Sequence, residues 1–368
     1  MIKSKLSAFL LLLILSSCSN LLTWHLDMGI HKKNQSLAQS SSNTADEKQA
    51  PQINISANII WDTSVNSGIS GNTGYIYPMV VEDIMYIIDT NGLLSALSLI
   101  NGGVLWNVAT DVQISSGLSI VNDKICVGTA TAKLLCYEID KLSSNKHIPL
   151  ITNMSNALSF SDYEADINID LDTEAASPIQ ALNNLFLIKL DNDDLYLMDP
   201  MTKKTIWKST SQIISLRSKG ASMPLVKDDN VYIARDNGSI SSYNVSDGTL
   251  NWFTIISSRS GRNDLEAQRD AEMSINIEGS RLYYGHFQGE LNSIDVSSGQ
   301  IVWSSPFSFI NDLLISDNSI YGSTTDNILV SIDQASGFLN WKSKKSDEHL
   351  TQPFIINNIV MAFTTEGT

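Results

Sequence analysis

The sequence predicts an all-β fold, a β-propeller of four-stranded blades, on three observations. A motif recurs along the chain, each copy holds four strand-like runs, and most copies close on a tryptophan. A repeat of roughly 40–50 residues built this way is the signature of a propeller. The clearest copies run from Val231-Tyr232 to Trp252, from Leu282-Tyr283 to Trp303, from Ile320-Tyr321 to Trp341 and from Met85-Tyr86 to Trp106.

Within a copy, apolar and polar residues alternate over a few positions, as in half-buried strands. Gly or Asn after the first run, and Asp247-Gly248 or Ser298-Gly299 after the second, supply the positive φ that tight turns need. The closing Trp is a large anchor suited to the space between blades, so these residues read as packing and not as a ligand cage.

Two copies depart from the pattern. Ile125–Glu138 has the hairpin but no closing Trp, and Leu185–Trp207 has lost both turn glycines, with Lys204 near the second turn. Trp61 ends no hairpin of its own and reads as the last strand of a repeat whose other strands lie elsewhere. A strand from one terminus completing a sheet begun at the other would leave no open edge. Phe354–Phe363 opens a seventh repeat, and the chain stops at its turn. The expectation is therefore six repeats plus a truncated seventh.

At the N-terminus, Lys3 and Lys5 precede an apolar run from Phe9 to Leu15, followed by Leu15-Ser16-Ser17-Cys18. That order marks a bacterial signal peptide. The small residues before Cys18 resemble a lipobox, with cleavage before Cys18 and lipid on its thiol. Ser19, where Asp would signal inner-membrane retention, points to the outer membrane. The expected organisation is a signal peptide at 1–17, a lipidated flexible tether at 18–52, too polar to bury a core, and the propeller at 53–368.

The net charge of −15 disfavours nucleic acid and anionic membrane surfaces as partners. Cys126 and Cys136 flank one hairpin turn. The register read from the sequence sets them slightly off from facing each other, so buried thiols are expected over a disulfide. His25, His31, His147, His286 and His349 have no metal-ligand spacing. Asp191-Asn192-Asp193-Asp194 lacks the Gly and distal Glu of a calcium loop and reads as turn chemistry. No nucleophile motif or phosphate-cradling loop is present. The sequence thus points to no enzyme, no cofactor and no metal.

The repeat, with its Tyr, turn Gly and closing Trp, resembles the quinoprotein-type (PQQ-like) propeller repeat. From the lipobox through Ile59-Ile60-Trp61-Asp62-Thr63-Ser64-Val65 onward the chain resembles the BamB family of propeller lipoproteins. Ile214-Ser215-Leu216-Arg217 with Gly220–Pro224, Arg269–Met273, Gly299–Trp303 and Ile310-Asn311-Asp312 follow that family's pattern. The resemblance implies an eight-bladed fold and a scaffold of the outer-membrane β-barrel assembly (BAM) complex. Such a scaffold binds the POTRA region of BamA and assists nascent outer-membrane β-barrel proteins. It also implies the contact residues Ile214, Leu216, Arg217, Asp270 and Glu272, the last departing from the family's more frequent Asp. Two rival readings are a quinone-dependent periplasmic dehydrogenase and a periplasmic interaction propeller with other clients. The first needs a calcium site and adjacent cysteines, which the sequence lacks.

Overall fold

The structure is a computed structural model that describes residues 23–25, 60–64, 77–144, 158–159, 165–211, 222–256, 273–285 and 289–365. It is a β-propeller in which the described strands make six blades of four strands or more and two separate two-stranded pairs.

The first pair joins β1 (Thr23–His25) to β2 (Asp62–Ser64). Blade one is β3 (Met79–Val81), β4 (Ile84–Ile88), β5 (Leu93–Ser98) and β6 (Val104–Ala109). Blade two begins with β7 (Ser119–Val121), β8 (Lys124–Thr129) and β9 (Lys133–Glu138). The chain then makes an excursion through helix α1 (Ile139–Ser144) and β10 (Leu158–Ser159). β10 adds in parallel to β6 as a fifth strand of blade one. The chain returns as β11 (Ile167–Asp170), the fourth strand of blade two. Blade three is β12 (Gln180–Leu182), β13 (Leu185–Lys189), β14 (Leu195–Asp199) and β15 (Lys204–Ser209). Blade four is β16 (Leu225–Lys227), β17 (Asn230–Arg235), β18 (Ser239–Asn244) and β19 (Leu250–Ile255). Blade five is β20 (Asn276–Glu278), β21 (Arg281–Tyr284), β22 (Leu291–Asp295) and β23 (Ile301–Ser305). Blade six is β24 (Leu314–Ser316), β25 (Ser319–Ser323), β26 (Leu329–Asp333) and β27 (Leu339–Lys342). β28 (Phe354–Ile356) and β29 (Ile359–Met361) form the second pair.

The motif has a physical meaning in the register. In blade four, Tyr232, Ser242 and Trp252 lie in one row across β17, β18 and β19. Tyr86–Ala96–Trp106, Tyr283–Ser293–Trp303 and Tyr321–Ser331–Trp341 are the same row in three other blades. The small central residue lets the two rings meet, with centroids 5.9–6.0 Å apart and tilted planes. Such pairs add about 0.5–1.5 kcal/mol beyond the area they bury. A β-bulge follows the central residue in each of these rows.

The indole also reaches the next blade. Trp207 lies over Gly248, Trp252 over Gly299, Trp303 over Gly337 and Trp61 over Gly102. Three of these rings donate Nε1–H to the carbonyl three residues before that glycine: Trp61 to Leu99, Trp207 to Val245 and Trp252 to Val296, at 2.7–2.9 Å. Each glycine has positive φ, and a side chain there would strike the ring. One residue therefore satisfies the turn and the seam together.

Two expectations are corrected. Cys126 and Cys136 stand directly opposite each other, Cα atoms 4.1 Å apart, and are joined in a disulfide. Closely spaced antiparallel partners are the pairs whose side chains meet. The strand that follows Trp61, β2, pairs with β1 and, among the described residues, not with β28 or β29. Its partner comes from within residues 18–52, so that segment carries a strand, although Trp61 still docks on the next blade as a closing Trp does. The second blade, whose sequence offers no closing Trp, takes its fourth strand late, from β11. In blade three the left-handed turn position is Lys203, at φ 57°, next to Lys204.

Candidate partner interface

Ile214, Leu216, Arg217, Asp270, Glu272 and Cys18 all lie outside the described residues. The structure describes the segments from which the two loops spring. Residues 212–221 connect β15 to β16, and residues 257–272 connect β19 to β20. They are the same connection in successive repeats, from the last strand of one blade to the first strand of the next.

Where such connections are described, each lies along the second strand of the blade it enters. Ile114 bridges to Thr129, Ala175 to Leu190, Phe309 to Thr324 and Leu350 to Thr364. The face of the molecule carrying these connections is therefore built on backbone pairing, which holds loop ends in place while leaving their tips free to vary.

The first loop leaves from a buried charge cluster. Ser211 donates its N–H to Asp194 Oδ1 at 2.9 Å and its hydroxyl to Asp193 Oδ2 at 3.0 Å. Asp193 sits at φ 66° in the β13–β14 turn. Lys189, 1% exposed, reaches Asp193 at 3.4 Å and Asp236 at 4.0 Å and donates to the Ala234 carbonyl. Arg235 donates to the Asp193 carbonyl at 2.5 Å, to Ser209 Oγ at 2.8 Å and to Tyr243 Oη at 3.0 Å. Burial pushes the Tyr243 phenol up, but the Arg235 charge and neighbouring hydroxyls outweigh it and hold the phenol below its usual value. Two buried cations thus face the buried carboxylates of Asp193 and Asp236 across the seam between blades three and four, beside a third at Asp194. Removing one member leaves an uncompensated buried charge, at a cost of about 3–5 kcal/mol. The loop re-enters blade four at Ser222, which is fully buried.

The second loop is tied differently. Its upstream end is fixed by the Ile256 N–H to the Gly238 carbonyl, and its downstream end by buried Met273. Ser274 donates its N–H at 2.5 Å and its hydroxyl at 2.9 Å to Asp312, on the next connection. Burial raises the Asp312 carboxyl, against the pull of those two hydrogen bonds. Asn311 in turn donates to the Leu350 carbonyl at 2.7 Å. The matched triplet Ile310-Asn311-Asp312 is therefore a strap that joins three successive connections.

The sequence reading missed the charge cluster. Asp191–Asp194 does form a turn, since the Asp194 N–H bonds Asn192 Oδ1. Asp193 also anchors Lys189 and Arg235 from two strands. The available signal was a lysine ending the apolar run Leu185–Ile188 and an arginine ending Val231–Ala234, both inside strands. Among the described residues no group of three His, Cys, Asp or Glu side chains converges as metal ligands. No helix among the described residues is long and apolar enough to cross a membrane.

Comparison with known proteins agrees with this architecture. The sequence profile of the family described as outer membrane protein assembly factor BamB matches residues 90–343, more than half of the chain. The protein of that name from Yersinia pestis is 22% identical over 312 residues, covering 84% of this chain and 76% of its own length. That from Legionella pneumophila (strain Paris) is 24% identical over 298 residues, covering 80% and 72%. The crystal structure of BamB from Moraxella catarrhalis superposes with a TM-score of 0.62 at 16% identity, over 79% of this chain and 94% of that one, and shows the shared fold. With the profile spanning most of the described blades, the chain belongs to the BamB family of outer membrane protein assembly factors.

Proposed function

We propose that this protein is a non-enzymatic scaffold in the assembly of outer-membrane β-barrel proteins, held at the periplasmic face of the outer membrane by lipid on Cys18. The observation that carries the reading is membership of the BamB family across residues 90–343. On this reading residues 1–17 are the signal peptide, 18–52 the lipidated tether and 53–368 the propeller. Ile214, Leu216, Arg217, Asp270 and Glu272 contact the POTRA region of BamA. Hydrogen bonds at the flanking residues Ser211, Ile256 and Ser274 support this assignment, because fixed ends lower the entropy a segment loses on binding. An Arg beside apolar anchors also suits the centre of an interface.

The test is affinity capture of the tagged full-length protein from solubilised outer membranes, with wild-type and Cys18→Ser chains. The wild type brings down BamA and remains in the membrane fraction, and Cys18→Ser is unlipidated and either uncleaved or soluble in the periplasm. A wild-type capture without BamA would sink the scaffold reading. Lipid labelling that persists in Cys18→Ser would sink the anchor.

A further inference from the structure

The seam between blades two and three lacks the indole found at its counterparts. In blade two the row that elsewhere reads Tyr, small residue, Trp reads Cys126, Cys136, Ile167. In blade three the turn that elsewhere presents glycine presents Lys203. Tryptophan of one blade docks on the glycine of the next, so these two departures are the two halves of one missing contact. Between them lies an open cavity of about 370 Å3, lined by Ile167, Asn168, Asp170, Pro200, Met201 and Lys203. That volume falls within the range of about 300–1,000 Å3 typical of small-ligand sites.

The rest of the docking geometry persists. Lys203 holds φ 57°, close to the 66° of Gly102 and the 71° of Gly248 and Gly299. Pro200 stands three residues before it, where Leu99, Val245 and Val296 offer the carbonyl that accepts an indole N–H. Pro200 lines the cavity. The turn is braced by Asp199, which accepts from the Met201 N–H and the Thr202 hydroxyl. A cation stands at the rim, Lys133, paired with Asp170 at 3.2 Å, and Asp166 also lines the cavity. A cation beside an aromatic face favours tryptophan over an aliphatic residue.

We propose that this seam is a docking site for a tryptophan side chain of a partner polypeptide, which takes the position that the chain's own indoles take at four other seams. A polypeptide suits the place better than a free indole. β11 is the last strand of its sheet, paired only with β9 among the described residues, so its outer backbone edge runs beside the opening. An extended segment can pair there while its side chain enters the cavity. The site is at the opposite end of β15 from the 212–221 loop, so it stands or falls independently of the BamA assignment.

The test uses the full-length chain without its signal peptide, titrated with blocked Gly-Gly-Trp-Gly-Gly, the matching leucine peptide and free indole. Binding is followed by calorimetry and by backbone amide shifts. The tryptophan peptide binds saturably and shifts the amides of Ile167–Asp170 and Met201–Lys203, while the leucine peptide binds at least about tenfold more weakly, a difference of about 1.4 kcal/mol. Ile167→Trp fills the cavity from within and abolishes binding. Lys203→Gly, which the turn geometry favours, opens the ring face and tightens binding severalfold, so the test survives if Ile167→Trp fails to fold. Absent saturation, shifts confined to other seams, equal binding of both peptides, binding of indole without the peptide, or a folded Lys203→Gly chain with unchanged affinity would each overturn the proposal.

Discussion

Trp207 lies flat against the turn of the next blade at Gly248, close enough that a Cβ built on that glycine would sit 2.7 Å from the indole. The same ring donates its N–H to Val245 at 2.7 Å. The glycine is needed twice, for its φ of 71° and for the missing side chain. Gly279, at φ 56°, is needed once, because nothing lies within 4 Å of its would-be Cβ.

The pair separates seam packing from turn geometry. Gly279→Ala should cost only the left-handed backbone penalty, about 1–2 kcal/mol. Gly248→Ala should add an overpacking cost of about 1–3 kcal/mol, for a total of about 2–5 kcal/mol. Urea unfolding of both variants measures the difference. Equal losses would show that the indole yields without cost and that the seam does not depend on this contact.

The Cys126–Cys136 disulfide occupies the row position that Tyr and the small residue hold in four other blades. It ties β8 to β9 in the blade that lacks a closing Trp. Closing a loop across a sequence separation of 10 should stabilise by about 2–3 kcal/mol in the chain-entropy model. Dithiothreitol should therefore lower the wild-type midpoint and leave Cys126→Ala/Cys136→Ala unmoved. An identical response of both chains to reductant would show that the bond contributes nothing.

Blades four to six were legible because their residues are local and literal: Tyr, a turn glycine and Trp stand at fixed spacing. The second and third blades read as two unrelated degeneracies, since nothing in sequence order shows that Ile167 and Lys203 share a seam. The cysteine register slipped at the turn. Three residues, with Ala132 at φ 56°, separate Thr129 from Lys133, and a slip of one position changes which side chains face each other. The charge cluster was hidden because Lys189 and Arg235 each look like an ordinary strand end until Asp193 is seen between them. The proposed partner residues rest on family resemblance alone, because those stretches of sequence carry no periodicity from which to read a role.

Acid should loosen the turns between the third and fourth strands. Ser297 and Ser298 hold the Asp295 carboxyl down to about 2, and Ser336 holds Asp333 below its ordinary value. A carboxyl depressed on folding contributes stability that is present above its unfolded value, near 3.8, and is lost as pH falls through the folded one. Asp312 has the opposite sign: raised by burial, its contribution is present below 3.8 and is lost as pH rises through the folded value. Asp295→Asn should flatten the decline in thermal midpoint from pH 4 toward about pH 2. Asp312→Asn keeps an acceptor for the Ser274 N–H and should raise the midpoint at neutral pH relative to wild type. A lower neutral midpoint for Asp312→Asn would show that its charge is needed to hold Ser274.

The residue-level test of the partner surface is Arg217→Glu. The 212–221 and 257–272 connections enter the first strands of adjacent blades, so their tips are expected to present Arg217 near Asp270 and Glu272 on one face. Truncating a central Arg typically costs about 2 kcal/mol or more, roughly 30-fold in affinity. Reversing its sign should cost more, because repulsion toward the two acidic residues joins the mismatch with a carboxylate on the partner. Fold should survive, since the ties at Ser211 and Ser274 lie at the loop bases and do not involve residue 217. Binding of purified BamA POTRA domains to wild type and Arg217→Glu, with circular dichroism as the folding control, measures this. Equal affinity in two folded proteins would remove the loop from the interface and leave its arginine as an ordinary residue of the propeller rim.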